Sequence, residues 1–280
     1  MSQLVVRAYK FWNYVPSLPA AAIFMLVFLA LTGLHTWKMI KTKTWFCIPF
    51  TIGGVFEFIG YIGRCMAHKN TTTMGPYILT NIFTLLGPTL FAASIYMTLG
   101  RLIRSIHAEH LSVIKITRLT KLFVWGDVIS FVVQGNSSGL SVLGYPDWAK
   151  LVVIIGLAIQ LISFSVFWIS SFVLERRIRR SPTVESLQTT VPWKKFLYML
   201  YAVSTLIIIR SAFRVVEYVL GQDGYPLENE WTLYVFDTVP MSVVMVVFYM
   251  WFPDLLKPSA REGDALPFVH TYISLEEPAK

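Results

Sequence analysis

Charged side chains interrupt four of the chain's hydrophobic runs: Glu57 and Arg64 in one, Asp127 in another, Arg210, Arg214 and Glu217 in a third, and Asp237 in a fourth. An ionisable group at membrane depth costs a few kcal/mol or more, so it turns toward a protein interior or a water-filled cavity and seeks a partner there. The chemistry open to such a set is ion pairing, recognition of a charged head group, or proton uptake. Glu57, Asp127, Glu217 and Asp237 suit a cationic amine, whereas Arg64, Arg210 and Arg214 suit phosphate or carboxylate. Counted together, these acids outnumber the bases by one, so one acid lacks a basic partner unless it is protonated.

The spacing of these residues is helical. Gly53, Glu57, Gly60, Tyr61 and Arg64 fall within one stripe of a 3.6-residue helix, and so do Asp127, Ser130, Gln134 and Ser138. Arg210, Phe213, Arg214 and Glu217 form a third stripe, and Glu230, Tyr234, Asp237 and Met241 a fourth. Hydrocarbon offers no hydrogen-bond partner, so four such helices hide their polar faces only by turning them toward one another. The expectation is a shared polar interior that opens outward, with Glu57, Tyr61, Arg64, Asp127, Gln134, Arg210, Arg214, Glu217, Tyr234 and Asp237 as candidate path or binding residues. Interhelical salt bridges that merely fix packing are the competing reading, and proton coupling is a third.

The elements that must position these residues are transmembrane helices. Apolar residues make up 55% of the chain and charged residues 14%, with a mean hydropathy of +0.58, against roughly 25% charged residues in a soluble domain. The apolar residues come in runs near the ~20 residues that span hydrocarbon. The runs are residues 17–37, 45–67, 77–102, 119–138, 149–174, 196–220 and 231–252. The fold class expected is therefore all-α, a bundle of seven transmembrane helices over residues 17–256, with a short segment 1–16 before it and a polar, disordered tail 257–280 after it. Gly87-Pro88 in the third run and Pro240 in the seventh are expected kinks. Gly53, Gly54, Gly60 and Gly63 allow close helix approach. Trp37, Trp45, Tyr77, Trp148, Trp193 and Trp231 read as interfacial anchors.

Lysine and arginine set the orientation. The connections after the first, third and fifth runs and the C-terminal tail, with their flanking helix ends, hold 17 of the 24 basic residues. By the positive-inside rule the N-terminus lies outside and the C-terminus in the cytoplasm. The stretch from Glu175 to Val191 reads as a mobile basic cytoplasmic loop, and Arg176, Arg177, Arg179 and Arg180 within it suit anionic lipid head groups. The net charge of +8 belongs to these loops rather than to a nucleic-acid surface. The sequon at Asn70 falls on the outer side, where glycosylation is available. Cys47 and Cys65 lie about 27 Å apart along one helix at ~1.5 Å per residue and cannot bridge each other.

An enzymatic role is not expected. His35, His68, His107, His110 and His270 fall at helix ends or in loops, without metal-ligand spacing inside the membrane. Ser130 lies near an acid but lacks a buried histidine base, and no Gly-rich phosphate loop is present. No metal or cofactor is expected.

The ordered set of residues resembles a known family, the fungal aminocholesterol-resistance proteins, lipid-translocating exporters with seven transmembrane helices. The resemblance covers about Ala20 to Pro253. It rests on Glu57-Phe58-Ile59-Gly60-Tyr61-Ile62-Gly63-Arg64, on Gly87-Pro88 with Ala92, Tyr96, Gly100 and Arg101, and on Asp127 with Ser130, Gln134 and Gly139. It continues through Arg210, Phe213, Arg214 and Glu217 to Glu230, Tyr234 and Asp237. Where the family often closes its last helix with His-Pro-Gly, this chain has Phe252-Pro253-Asp254, so no role of that histidine carries over. The resemblance implies fungal origin, stress or drug resistance, and movement of a sphingoid base, sterol amine or similar amphiphile. The expected home is the plasma membrane, with an internal membrane as the alternative. A seven-helix lipid sensor without transport is the competing function. Against a G-protein-coupled receptor stands Leu99-Gly100-Arg101-Leu102 at the end of the third run, in place of an acidic-Arg-aromatic triplet.

Overall fold

The computed structural model describes residues 16–69, 73–112, 121, 123–130, 132–133, 146–181, 192–220 and 224–256. Among them there is no strand, and six helices are long and apolar enough to cross a membrane. The chain is an integral membrane protein, and the regular structure of its described residues is helical. Its outward faces are apolar, with Ile23 59%, Ile162 60% and Met250 64% exposed, the reverse of a water-soluble bundle.

Helix α1 runs Leu18–Thr42 and stops where Lys43 turns left-handed at φ 55°. The Lys43 and Thr44 amides then donate to the Ile40 and Met39 carbonyls, satisfying the helix end. After a 3-10 turn at Trp45–Cys47 comes α2, Ile48–Lys69, and then α3, Met74–Ser105. Residues 123–130 are helical and are called α4. Helix α5 spans Pro146–Arg180 and α6 spans Trp193–Leu220. The last helix, α7, extends over Glu230–Met250. It starts as an α-turn at Glu230–Leu233, widens into a π-helix at Tyr234–Thr238 and resumes as α-helix at Val239–Met250.

Neighbours in sequence are neighbours in space. Helix α2 lies along α1 and α3, α5 along α6, and α6 along α7, which returns to α1. The aromatic rings of Phe123 on α4 and Phe167 on α5 meet at 5.6 Å. Without a hydrophobic drive between helices in lipid, close backbone approach supplies the packing. A Cβ on Gly53 would lie 2.7 Å from the Gly87 carbonyl oxygen, and one on Gly60 would lie 2.7 Å from the Thr84 methyl. These α2 glycines thus fix both the spacing and the rotation of α2 against α3.

Three expectations are corrected. Residues 175–180 are helical rather than a loop: α5 persists to Arg180, with Arg177, Arg179 and Arg180 in a last turn where cations complement the helix dipole. It stops just before Ser181, which the following Pro182 disfavours from helix. His35 is not at a helix end but inside α1, 1% exposed, its Nε2 2.9 Å from the Met245 carbonyl and its ring beside Phe50 and Phe252. Trp193 is buried rather than interfacial, whereas Trp37, Trp45, Trp148 and Trp231 are exposed as anchors would be.

Candidate functional site

The site is assembled around two proline-modified helices, α3 and α7. Pro240 has no N–H for the carbonyl four residues before it, and its ring crowds that carbonyl. The π-helix at Tyr234–Thr238 occupies that position, and it carries Asp237 and Thr238. Such single wide turns are rare and concentrate at functional positions. The same deficit acts in α3: Pro88 leaves the Thr84 carbonyl without its helical donor, and Arg210 Nη2 fills it from α6 at 2.7 Å. A cation on one helix is thereby locked to a backbone gap on another.

Asp237 joins the two arginines of α6. Its Oδ2 accepts from Arg214 Nη2 at 2.5 Å, and its Oδ1 lies 2.5 Å from Arg210 Nε as an ion pair rather than an aligned hydrogen bond. Arg214 Nη1 also donates to Glu217 Oε2 at 2.9 Å, one turn along the same helix. Arg210 is 1% and Arg214 6% exposed, so these pairs are withdrawn from solvent. Glu57 lies over the bare backbone of Gly87, where a Cβ would come within 2.6 Å of its Oε1. Arg210, Asp237 and Arg214 are the charges acting on it, although Glu57 Oε1 has no hydrogen-bond partner.

A second group sits nearer the start of α7. Arg64 Nη2 donates to Glu230 Oε1 at 2.9 Å, and Tyr234 donates to the same oxygen at 2.9 Å. The Arg64 guanidinium also lies 5.2 Å from the centre of the Tyr234 ring, a cation-π contact. Both Glu230 oxygens accept from the Ser17 amide, which ties in the start of α1. Tyr61 and Thr238 share a hydrogen bond between hydroxyls, linking the two groups across α2 and α7.

Of the sequence-derived candidates, Glu57, Tyr61, Arg64, Arg210, Arg214, Glu217, Tyr234 and Asp237 therefore meet. Gln134 and Asn70 lie outside the described residues. Asp127 does not join them: its Oδ2 accepts from Tyr96 at 3.0 Å, on the far side of α3. Tyr96 follows Gly87 by nine residues, which at ~100° per residue is half a turn away, so α3 separates Asp127 from the rest. Glu230 is the residue that charge counting missed. It lies beyond the apolar run, and the signal for it was its place on one stripe with Tyr234 and Asp237.

The charged side chains of the cluster are closely paired and largely buried. A large groove lies elsewhere, about 630 Å³, lined by apolar side chains including Trp168, Phe172, Ala202 and Val247, and open on one side between α5, α6 and α7. Its polar end is Glu175, which accepts from Tyr201 at 2.8 Å and from Arg179. Among the described residues no His, Cys, Asp or Glu group has the arrangement to hold a metal.

The family model described as RTA1 like protein matches residues 50–259. The chain is 37% identical over 207 residues to Protein RTA1 of Saccharomyces cerevisiae, covering 74% of this chain and 65% of that protein. It is 31% identical over 277 residues to Protoporphyrin uptake protein 1 of the same yeast, covering 85% of this chain and 90% of that protein. To the yeast Sphingoid long-chain base transporter RSB1 it is 28% identical over 277 residues, covering 85% and 72%. The matches to Protein RTA1 and to Protein RTM1 each span 65% of the relative's length. No solved structure matches this chain.

Proposed function

Because this chain belongs to the RTA1-like protein family, we propose that it is a membrane transporter or floppase that moves an amphiphilic lipid or lipid-like compound across the bilayer. Two relatives are named for a sphingoid long-chain base and for protoporphyrin, which combine an apolar body with ionisable groups. The observation that carries the reading is the paired network of Arg210, Arg214, Glu217 and Asp237, hinged on the π-helix of α7. An incoming head group exchanges with one partner of a buried pair, and the wide turn lets α7 shift against α6 as it does so. The groove between α5, α6 and α7 supports the same reading, since about 630 Å³ falls within the ~300–1,000 Å³ of ligand sites. The apolar body travels there while the head follows the charges, and no covalent step is needed, so the protein acts without enzymatic chemistry.

The reading places seven spans in the plasma membrane, α4 among them, with the N-terminus outside and the C-terminus in the cytoplasm. Arg176, Arg177, Arg179 and Arg180 then sit at the cytoplasmic surface, where anionic lipid head groups attract them. The test is flux in proteoliposomes holding the purified full chain alone, with a fluorescent sphingoid base and a fluorescent phosphatidylcholine as probes. Movement of either probe above empty liposomes, slowed in Glu57→Gln and Asp237→Asn, is the expected result. Saturable binding without movement favours the sensor instead, and neither binding nor movement removes both readings.

A further inference from the structure

Asp127 is the buried acid that the paired network leaves out. It is 2% exposed, its Oδ2 accepts from Tyr96, and its Oδ1 has no hydrogen-bond partner. Beside it lies a partly enclosed cavity of about 120 Å³ between α3 and α4, lined by Leu86, Thr89, Leu90, Ala93, Val124 and Val128. The hydroxyls nearby are already committed: Thr89 donates to the Leu86 carbonyl at 2.7 Å and Ser130 to the Gly126 carbonyl at 2.9 Å. Tyr96 on α3 is the one ionisable group acting on Asp127 among the described residues, with none from α4 or α5. Arg64, Arg210 and Arg214 engage other acids.

A lone carboxylate in such surroundings has three ways to be neutralised. A hard metal ion takes about six or more oxygens, and this site offers a carboxyl and one phenol. A whole amphiphile needs a site of ~300 Å³ or more, which 120 Å³ does not supply. A proton needs only the open Oδ1 lone pair and water to deliver it.

We propose that Asp127 is a proton-binding site, served through the cavity between α3 and α4 and separate from the arginine-rich network. The proton passes from water to Oδ1, converting a carboxylate to a neutral acid, and returns to water on release. Tyr96 is a positioning residue: its hydroxyl holds Oδ2 and leaves Oδ1 as the buried, unpartnered oxygen. The use of this site, as the place where a coupling proton rides during amphiphile movement, rests on the transport reading; the binding itself does not.

The test uses the purified full chain in liposomes treated with dicyclohexylcarbodiimide, an apolar reagent that adds to protonated carboxyls, with adducts mapped by mass spectrometry. The expected result is an adduct at Asp127 that falls at least severalfold as pH rises, and that persists in Asp237→Asn. A carboxyl infrared band that is lost as pH rises, and that is missing in Asp127→Asn, is the second readout, and Tyr96→Phe should shift the pH at which it is lost. Absence of the adduct at every pH, with the band unchanged in Asp127→Asn, overturns the proposal. If wild-type protein carries the adduct but moves no probe, the transport reading falls while the proton site stands. If probes move, no adduct forms and the band is unchanged in Asp127→Asn, the reverse holds.

Discussion

Replacing Asp237 by asparagine removes one negative charge from between two buried arginines while keeping the side chain's shape. The two arginines lose unequally. Arg214 retains Glu217 at 2.9 Å, whereas Arg210 retains only the Thr84 carbonyl at 2.7 Å and the field of Glu57. The dominant penalty is therefore one uncompensated buried guanidinium, about 3–5 kcal/mol for the loss of one partner of a buried pair. Glu57 moderates it, which places the expectation at the lower end, about 3 kcal/mol. At ~2–4 °C per kcal/mol, the apparent Tm of the detergent-purified protein should fall by roughly 6–12 °C. Removing the stranded charge should help: Asp237→Asn with Arg210→Gln should melt above Asp237→Asn alone, because residues in one ionic network are not additive. Glu217→Gln should cost less than Asp237→Asn, since Arg214 keeps Asp237 at 2.5 Å. Refutation would come from Asp237→Asn melting within about 2 °C of wild type, or from a double variant whose losses simply sum. Either result means that these charges are solvated rather than coupled.

Other predictions concern packing and the groove. Gly53→Ala puts a Cβ 2.7 Å from the Gly87 carbonyl and 2.9 Å from the Phe91 ring, so a loss of about 1–3 kcal/mol is expected by thermal melting; Gly33→Ala, with nothing within 4 Å, should show none. Arg64→Lys forfeits the Nε contact to Tyr234 and the planar stacking on its ring, so melting should register about 1.5–3 kcal/mol, the scale of a hydrogen bond to a charged group. Lys38 donates to the Tyr249 carbonyl at 2.8 Å, an oxygen that Pro253 cannot serve, and Lys38→Met should lower the melting temperature by roughly 2–8 °C. Ala202→Trp fills the groove between α5, α6 and α7 from an exposed position; it should slow probe flux severalfold at unchanged melting temperature, and undiminished flux would remove the groove from the path.

The sequence by itself determined the helices and their polar stripes. Apolar length is a local property, and the spacing of Glu57, Tyr61 and Arg64, or of Arg210, Arg214 and Glu217, fixes a shared face whatever surrounds the helix. The six membrane-crossing helices accordingly lie within a few residues of the apolar runs, except where α5 continues to Arg180. Tertiary structure alone decided which acid meets which base. That outcome depends on how each helix is rotated against its neighbours, and glycines and prolines set the rotation. Gly53 and Gly60 bring α2 against α3, the carbonyl freed by Pro88 captures Arg210, and the π-helix before Pro240 carries Asp237. Asp127 shows the limit of reading faces one helix at a time. Its stripe is as regular as the others, yet half a turn of α3 gives it Tyr96 and a separate cavity instead of an arginine.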